Sequence, residues 1–422
     1  MTKKKIKIKL RYDGGILLYA IFITFIVAVF TGTLVLLFYY LNRNTQNFLI
    51  YNQMQDEVKS AIQYSLSSES NLAYDSIQSF KIYDAPFKTS IAKKSWGIFD
   101  IIYARSIFQS DSIEIVCLAG SAEKYTNDLA LSVTNAQNGL KVSGKTIIEG
   151  NIYLPNSSIN KVNIEGRSFE NIDQQFITVS DRTNMLPSIN EKIFHPLNYL
   201  QKENIPGLFY SLNYITSNDS IVNSFMKSPV IIYHSGNIRI ENKTLIGNII
   251  IISDNDVYID NSCNIENIIV IANKIHITEL KESQLQCFAG QSIILNSVAL
   301  RYPSALVVKD SYNNPESNLI VSGSSNICGT LIHITKPSVK SKIIVSKESQ
   351  VEGIIYSTSF VELNNNLYGS LICYGLYVQT RQNNYENLII DNEINVYKRS
   401  KYYIEPNIFS SNNDKKIIQW LN

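Results

Sequence analysis

Charge is scarce in this 422-residue chain. Only 18% of residues are charged, and 38 Lys+Arg against 36 Asp+Glu leave a net +2. That balance excludes a generally basic nucleic-acid binder. Five cysteines are too few, and odd in number, for a disulfide scaffold. Four histidines, His195, His234, His276 and His333, lie far apart, and no metal-binding or nucleotide-binding spacing is present. Proline and glycine are missing from Thr33–Leu66, so nothing there interrupts a helix. Apolar residues, at 45%, exclude wholesale disorder.

The few charges are unevenly placed. Residues 1–15 hold six basic side chains against Asp13, a net +5, which leaves −3 for the other 407 residues. The uncharged stretch Ile16–Leu41 follows. As a helix its 26 residues span about 39 Å, enough to cross a hydrocarbon core of about 30 Å. Tyr39 and Tyr40 sit where an aromatic belt belongs, and Arg43 is the only basic residue close behind. The charge bias places the N-terminus in the cytoplasm and the body outside. A cleaved signal has a 7–15-residue apolar core and a small-residue cleavage site, whereas this stretch ends in Leu-Leu-Phe-Tyr-Tyr. Apolar residues at Phe48, Tyr51, Met54 or Gln55, Val58 and Ile62 extend the helical period to Leu66 as a stalk.

The leader Lys3–Asp13, the pair Gly14-Gly15 and the run from Ile16 onward resemble the N-terminus of type IV minor pilins and pseudopilins. The resemblance covers about the first 66 residues and implies leader processing at Gly15 and a place in a surface or secretion apparatus. The family's usual Glu, five residues after the processing glycine, is Ala20 here.

Between Phe80 and Gly120 the segments FKIYD, SWGIFDIIYARSIF and SIEIVCLAG read as strands of a small antiparallel sheet. Beyond them the chain repeats. Ile238, Val257, Ile275 and Ile293 occupy one position of a polar–apolar–x–apolar motif at spacings of 19, 18 and 18. The runs after Asn248 and Asn267 keep the same register, and apolar–x–Gly recurs at Gly150, Gly166, Gly247, Gly329, Gly353 and Gly369. Short strands at this period predict a mainly β protein built on a parallel β-helix or β-solenoid. A two-layer sandwich would need hairpin turns that the repeat lacks. These rungs resemble bactofilin-type polymer-forming and other bacterial β-helix families. The whole order of parts resembles membrane-anchored bacterial proteins with a minor-pilin-like helix and a β-helix body.

The expected organisation is a cytoplasmic basic leader (1–15), transmembrane helix (16–41), helical stalk (42–66), small α+β pilin-like subdomain (67–120), β-solenoid with an insertion near 167–227 (121–400), and C-terminal cap (401–422). Trp420 is expected to cover an open solenoid end.

Asp254, Asp256 and Asp260 form the closest acidic cluster, as a β-helix hydrolase or a calcium site would need. Asp254 and Asp256 fall in a turn, where Asp is common. His276 is the outward residue of its rung, with Arg239, Tyr258 and Ile294 at the equivalent positions. Cys117, Cys263, Cys287, Cys328 and Cys373 read as small core hydrophobes. Arg301-Tyr302-Pro303 and the 26 tyrosines offer surface for glycans or proteins. No catalytic, cofactor-binding or metal-binding residue is assigned, and no cofactor is expected. The expected function is a non-enzymatic structural or interaction protein of the bacterial inner membrane, anchored in the lipid bilayer through 16–41. Envelope proteins or glycans are its expected partners, not nucleic acid. The alternative is a β-helix carbohydrate-active enzyme or glycan-binding module. Self-polymerisation through the solenoid ends would need an uncapped terminus.

Overall fold

A computed structural model describes residues 15–70, 72–81, 86–122, 125–170, 173–179, 185–201, 209–310, 316–409 and 414–421. The basic leader and Gly14 lie outside the described residues.

One helix, α1 (Gly15–Leu66), runs unbroken for 52 residues, about 78 Å. Its apolar run Ile16–Leu41 is exposed along its whole length. The hydroxyls in that run turn inward: Thr24, Thr31 and Thr33 donate to the carbonyls of Ile21, Val27 and Phe30, each at 2.8 Å. This helix is long and apolar enough to cross a membrane. The amphipathic stripe is buried only from Met54 onward. Phe48 and Tyr51 are 64% and 55% exposed.

Four strands follow: β1 (Ile77–Phe80), β2 (Lys88–Trp96), β3 (Phe99–Phe108) and β4 (Asp111–Ser121). They form an antiparallel sheet in that order, and Lys415–Leu421 adds a fifth strand beside β4. Of FKIYD only Phe80 lies in a strand, and Ile82, Tyr83 and Asp84 are outside the described residues. Sequence reading missed most of β2, whose KTSIAKKS carries little apolar signal. Val58, Ala61 and Ile62 of α1 pack on one sheet face, against Ile91, Ile102, Ala104, Cys117 and Ala119. The expected end cap differs: the C-terminal strand completes this sheet, and Trp420 is 54% exposed. Ile417, Trp420 and Leu421 pair with Ala119, Cys117 and Val116 of β4.

The body is a β-solenoid of about 11 turns. A representative coil comprises Thr244–Gly247, Ile249–Ser253 and Asp256–Ile259. Among the described residues consecutive coils pair in parallel, with one antiparallel hairpin at Tyr377–Glu386, and the repeat register follows the spacing. Ile238 pairs with Val257, Val257 with Ile275 and Ile275 with Ile293. The same inward column continues through Leu319, Ile343 and Val361. β-Branched side chains dominate because they fit a pleated, stacked surface. Gly329, Gly353 and Gly369 stack at one corner. Gly353 has φ +139°, and a Cβ there would lie 1.9 Å from the Gly329 carbonyl oxygen. Only glycine lets neighbouring backbones come this close.

The segment expected as an insertion divides differently. Ile177–Val179 is a rung on Asn151–Tyr153, and Ser220–Asn223 is a rung beneath Thr244–Gly247. Between them a 3-10 helix, Glu191–Gln201, runs along the outside as a strap. The first rungs do not stack on the next ones in sequence. Leu131 stacks on Leu371 and Ile152 on Leu131, so residues 129–179 extend the solenoid beyond its C-terminal coils. The strap then carries the chain back to the opposite end.

The second and larger joint lies between sheet and solenoid. Trp96, Phe99, Ile101, Val116 and Leu118 pack onto Ile250, Ile252, Ile269, Ile271 and Phe288, with Ile193, Phe194 and Leu197 of the strap. This is why the Ile-rich rungs are buried on both faces: one face fills the solenoid and the other bears the sheet. Helix, sheet and solenoid therefore form three packed layers.

Candidate interaction face

The uncovered solenoid face presents one outward residue per rung. Arg239, Tyr258, His276, Ile294, Ile320, Ile344 and Glu362 are consecutive register partners. The Arg239 guanidinium lies 5.1 Å from the Tyr258 ring centroid. The Tyr258 and His276 rings stack at 4.8 Å, 9° from parallel. Partial burial lowers the pKa of His276, against an opposing pull from Asp256. Both faces of the tyrosine ring are therefore occupied by neighbouring rungs. The stripe is apolar only at Ile294, Ile320 and Ile344, and it ends where Lys342 pairs with Glu362 at 2.5 Å beneath the Tyr377 ring.

The acidic cluster serves local structure. Asp254 Oδ2 accepts from the Tyr233 hydroxyl at 2.7 Å, and Asp256 Oδ2 from the Tyr258 hydroxyl at 3.1 Å. Asp260 Oδ1 accepts from the amide of Ser262 at 3.0 Å and from its hydroxyl. In the next coil Asp256 meets Lys274, not a second carboxylate. The paired-carboxylate geometry of glycoside hydrolysis is not assembled here. Among the described residues, no group of three or more His, Cys, Asp or Glu side chains is placed to hold a metal.

The remaining candidates are dispersed. His195 sits on the strap, edge-on to Tyr199 at 5.6 Å. His333 is fully buried in its rung, and burial lowers its pKa to about 4. Cys263, Cys287 and Cys373 belong to the solenoid core and Cys117 to the helix–sheet core, while Cys328 is half-buried. Burial raises all five thiol pKa values, that of Cys117 to about 12 and that of Cys328 to about 11. Tyr302 is no free surface group. Its hydroxyl donates to the Ile404 carbonyl at 2.5 Å, and its ring packs near Phe99 and Tyr403.

Sequence reading missed the polar joints. Asp100, buried inside the sheet joint, accepts from Lys415 Nζ at 2.5 Å and the Tyr74 hydroxyl at 3.1 Å, with Lys93 Nζ at 3.6 Å. Arg399 and Glu405, both buried, meet at 3.8 Å and share Thr126. The only sequence signal was a charge within an apolar strand pattern, as at Asp100.

No family model matches the chain, and no curated protein matches it. Among solved structures, the crystal structure of the competence-associated pilin ComZ from Thermus thermophilus aligns at 11% identity. The alignment covers 83% of this chain and 87% of that chain, with a TM-score of 0.25. So loose a superposition leaves the function of this chain to be read from its own geometry.

Proposed function

We propose that this chain is a membrane-anchored, non-enzymatic structural or interaction protein of the bacterial envelope, a pilin-like component of a surface or secretion apparatus. The observation that carries the reading is the divided burial of α1. Ile16–Leu41 is exposed and uncharged, while Val58–Ile62 is packed into the sheet that bears the solenoid. The exposed half suits lipid, and the packed half makes the body a rigid extension of the anchor. Six basic residues before the span and only Arg43 close behind it favour a cytoplasmic N-terminus in the inner membrane, with the solenoid outside. The stripe from Tyr258 to Ile344 suits a protein partner, because Ile294, Ile320 and Ile344 face outward beside ring edges of Tyr258 and His276. Those same edges disfavour sugar stacking on this face, which needs a free ring face.

Mass spectrometry of the membrane-extracted protein tests the reading. A mature N-terminus at Ile16 is the expected result. An intact leader would remove the pilin-like role and leave a plain anchor. A mature N-terminus beyond Leu41 would remove the anchor as well. Protease digestion of spheroplasts tests orientation: the solenoid is expected to be cleaved without membrane disruption.

A further inference from the structure

The buried charges of the sheet joint bring together the groups that an amide bond needs. Lys415 Nζ lies 2.5 Å from Asp100 Oδ2 and 2.9 Å from Asn407 Oδ1. An amine, a carboxylate and a carboxamide therefore meet at one nitrogen. The Lys415 and Asp100 side chains are only 7% and 4% exposed. Phe99 and Ile408, the chain neighbours of Asp100 and Asn407, are buried in the apolar layer between sheet and solenoid.

Two features leave this arrangement unsatisfied. The first is charge. Lys93 Nζ lies 3.6 Å from the same oxygen of Asp100, so two buried ammonium groups share one carboxylate. Buried charge without a counter-charge is costly. The second is the Asn407 amide. Its Oδ1 accepts from Lys415, which leaves Nδ2 buried with no hydrogen-bond partner among the described residues. An unmet buried donor also destabilises. Expulsion of that nitrogen as ammonium would remove both faults at once.

We propose that Lys415 and Asn407 join through a side-chain amide (isopeptide) bond that the protein forms by itself, with Asp100 as the proton carrier. Asp100 takes a proton from the Lys415 ammonium and leaves an amine with a free electron pair. The Asn407 Cγ is one C=O bond, about 1.2 Å, from the oxygen that Lys415 already touches, so the amine starts within about 4 Å of it. The amine attacks Cγ, the Nζ–Cγ bond forms, and the Cγ–Nδ2 bond breaks. Of the three protons on Lys415, one stays in the new amide. The other two depart with the former amide nitrogen as ammonium, one of them by way of Asp100. Asp100 ends ionised beside Lys93, one charge of each sign. Held proximity drives the step, and the dry surroundings keep water from competing for Cγ. The step is a transamidation and needs no co-reactant. The backbone N–H of Asn407 donates to the Ile98 carbonyl at 3.1 Å, so the bond fastens the start of the C-terminal strand to the β2–β3 turn. None of this depends on the pilin-like reading.

Peptide mass spectrometry of the full chain, extracted in detergent and digested with trypsin, is the test. Trypsin is expected to leave Lys415–Lys416 uncut and to release Tyr402–Lys416 lighter than its sequence mass by one ammonia. Its fragment spectrum is expected to lack backbone cleavages between Asn407 and Lys415, because the ring holds both pieces together. Asp100→Asn keeps the size of the side chain but cannot carry the proton, and Lys415→Met removes the nucleophile. Both variants are expected to show the full sequence mass with circular dichroism unchanged. The wild-type peptide decides the matter even where a variant fails to fold. A wild-type peptide of full mass, cut after Lys415, would overturn the proposal, as would ammonia loss that survives in Lys415→Met. Ammonia loss that survives in Asp100→Asn would overturn the role given to Asp100.

Discussion

Gln286 holds the backbone around Ile98 with both ends of its amide. Its Oε1 accepts from the Ile98 amide at 2.9 Å, and its Nε2 donates to the Trp96 carbonyl at 3.0 Å. One solenoid side chain thereby clamps the β2–β3 turn. Gly97, at the centre of that turn, has φ +62°, and a Cβ there would lie 2.0 Å from Gln286 Oε1. The substitution Gln286→Leu leaves two buried backbone groups unmet and should cost about 2–4 kcal/mol. Urea unfolding of the full chain checks the magnitude. Faster hydrogen exchange at the β2–β3 turn locates the damage.

The stacked glycines make a second expectation. Gly353→Ala places a methyl against the Gly329 carbonyl at a positive φ. Strain and overpacking together should cost on the order of 3 kcal/mol or more. The measurement is the loss of thermal midpoint relative to wild type. An unchanged midpoint would mean that the corner is looser than its 1.9 Å approach implies.

Adjacent isoleucines separate core from surface. Ile293 is fully buried in the inward column, while Ile294 belongs to the outward stripe. Ile293→Ala should cost about 2–5 kcal/mol, and Ile294→Ala no more than about 0.5–1 kcal/mol. The same pair tests function, since Ile294→Asp should weaken co-purification of a stripe-bound partner without lowering stability appreciably.

His333 gives a pH expectation. Its Nε2 lies 3.0 Å from Ser317 Oγ, which donates to the Gln291 carbonyl, so the ring nitrogen is the donor to Ser317. Nδ1 has no partner among the described residues. Burial lowers the pKa from 6.5 to about 4, against pulls from Asp310 and Ser317. The unfolded chain therefore takes up the proton first. The stabilisation is fully present above pH 6.5 and is lost as pH falls toward about 4, by about 3 kcal/mol. His333→Gln should flatten this part of the stability curve relative to wild type, as read from urea midpoints at several pH values.

The sequence carried local information well. Spacings of 18 and 19 placed Ile238, Val257, Ile275 and Ile293 in one column, because each coil must return an inward residue to the same wall. The glycine corners were visible for the same reason. The burial limits of α1 were less visible, since Phe48 and Tyr51 continue the apolar period yet stay exposed. Pairings between distant segments left no local mark. Leu131 on Leu371 joins two ordinary aliphatic rungs, and nothing in either names the other. The charged joint was hidden in the same way: Lys93, Asp100 and Lys415 come from three separate strands, and only the folded sheet brings them together.

The stacking of Leu131 on Leu371 also imposes an order on synthesis. The partner rung is made 240 residues later (371 − 131). At about 5–20 residues per second, the early rungs wait about 10–50 s for their neighbour. During that time 129–179 is a short stack without its template, presenting open strand edges as the chain is still being made. Completion of the solenoid is thus a late event that joins the first-made rungs to nearly the last, and a ribosome-stalled or C-terminally truncated chain would leave those edges bare.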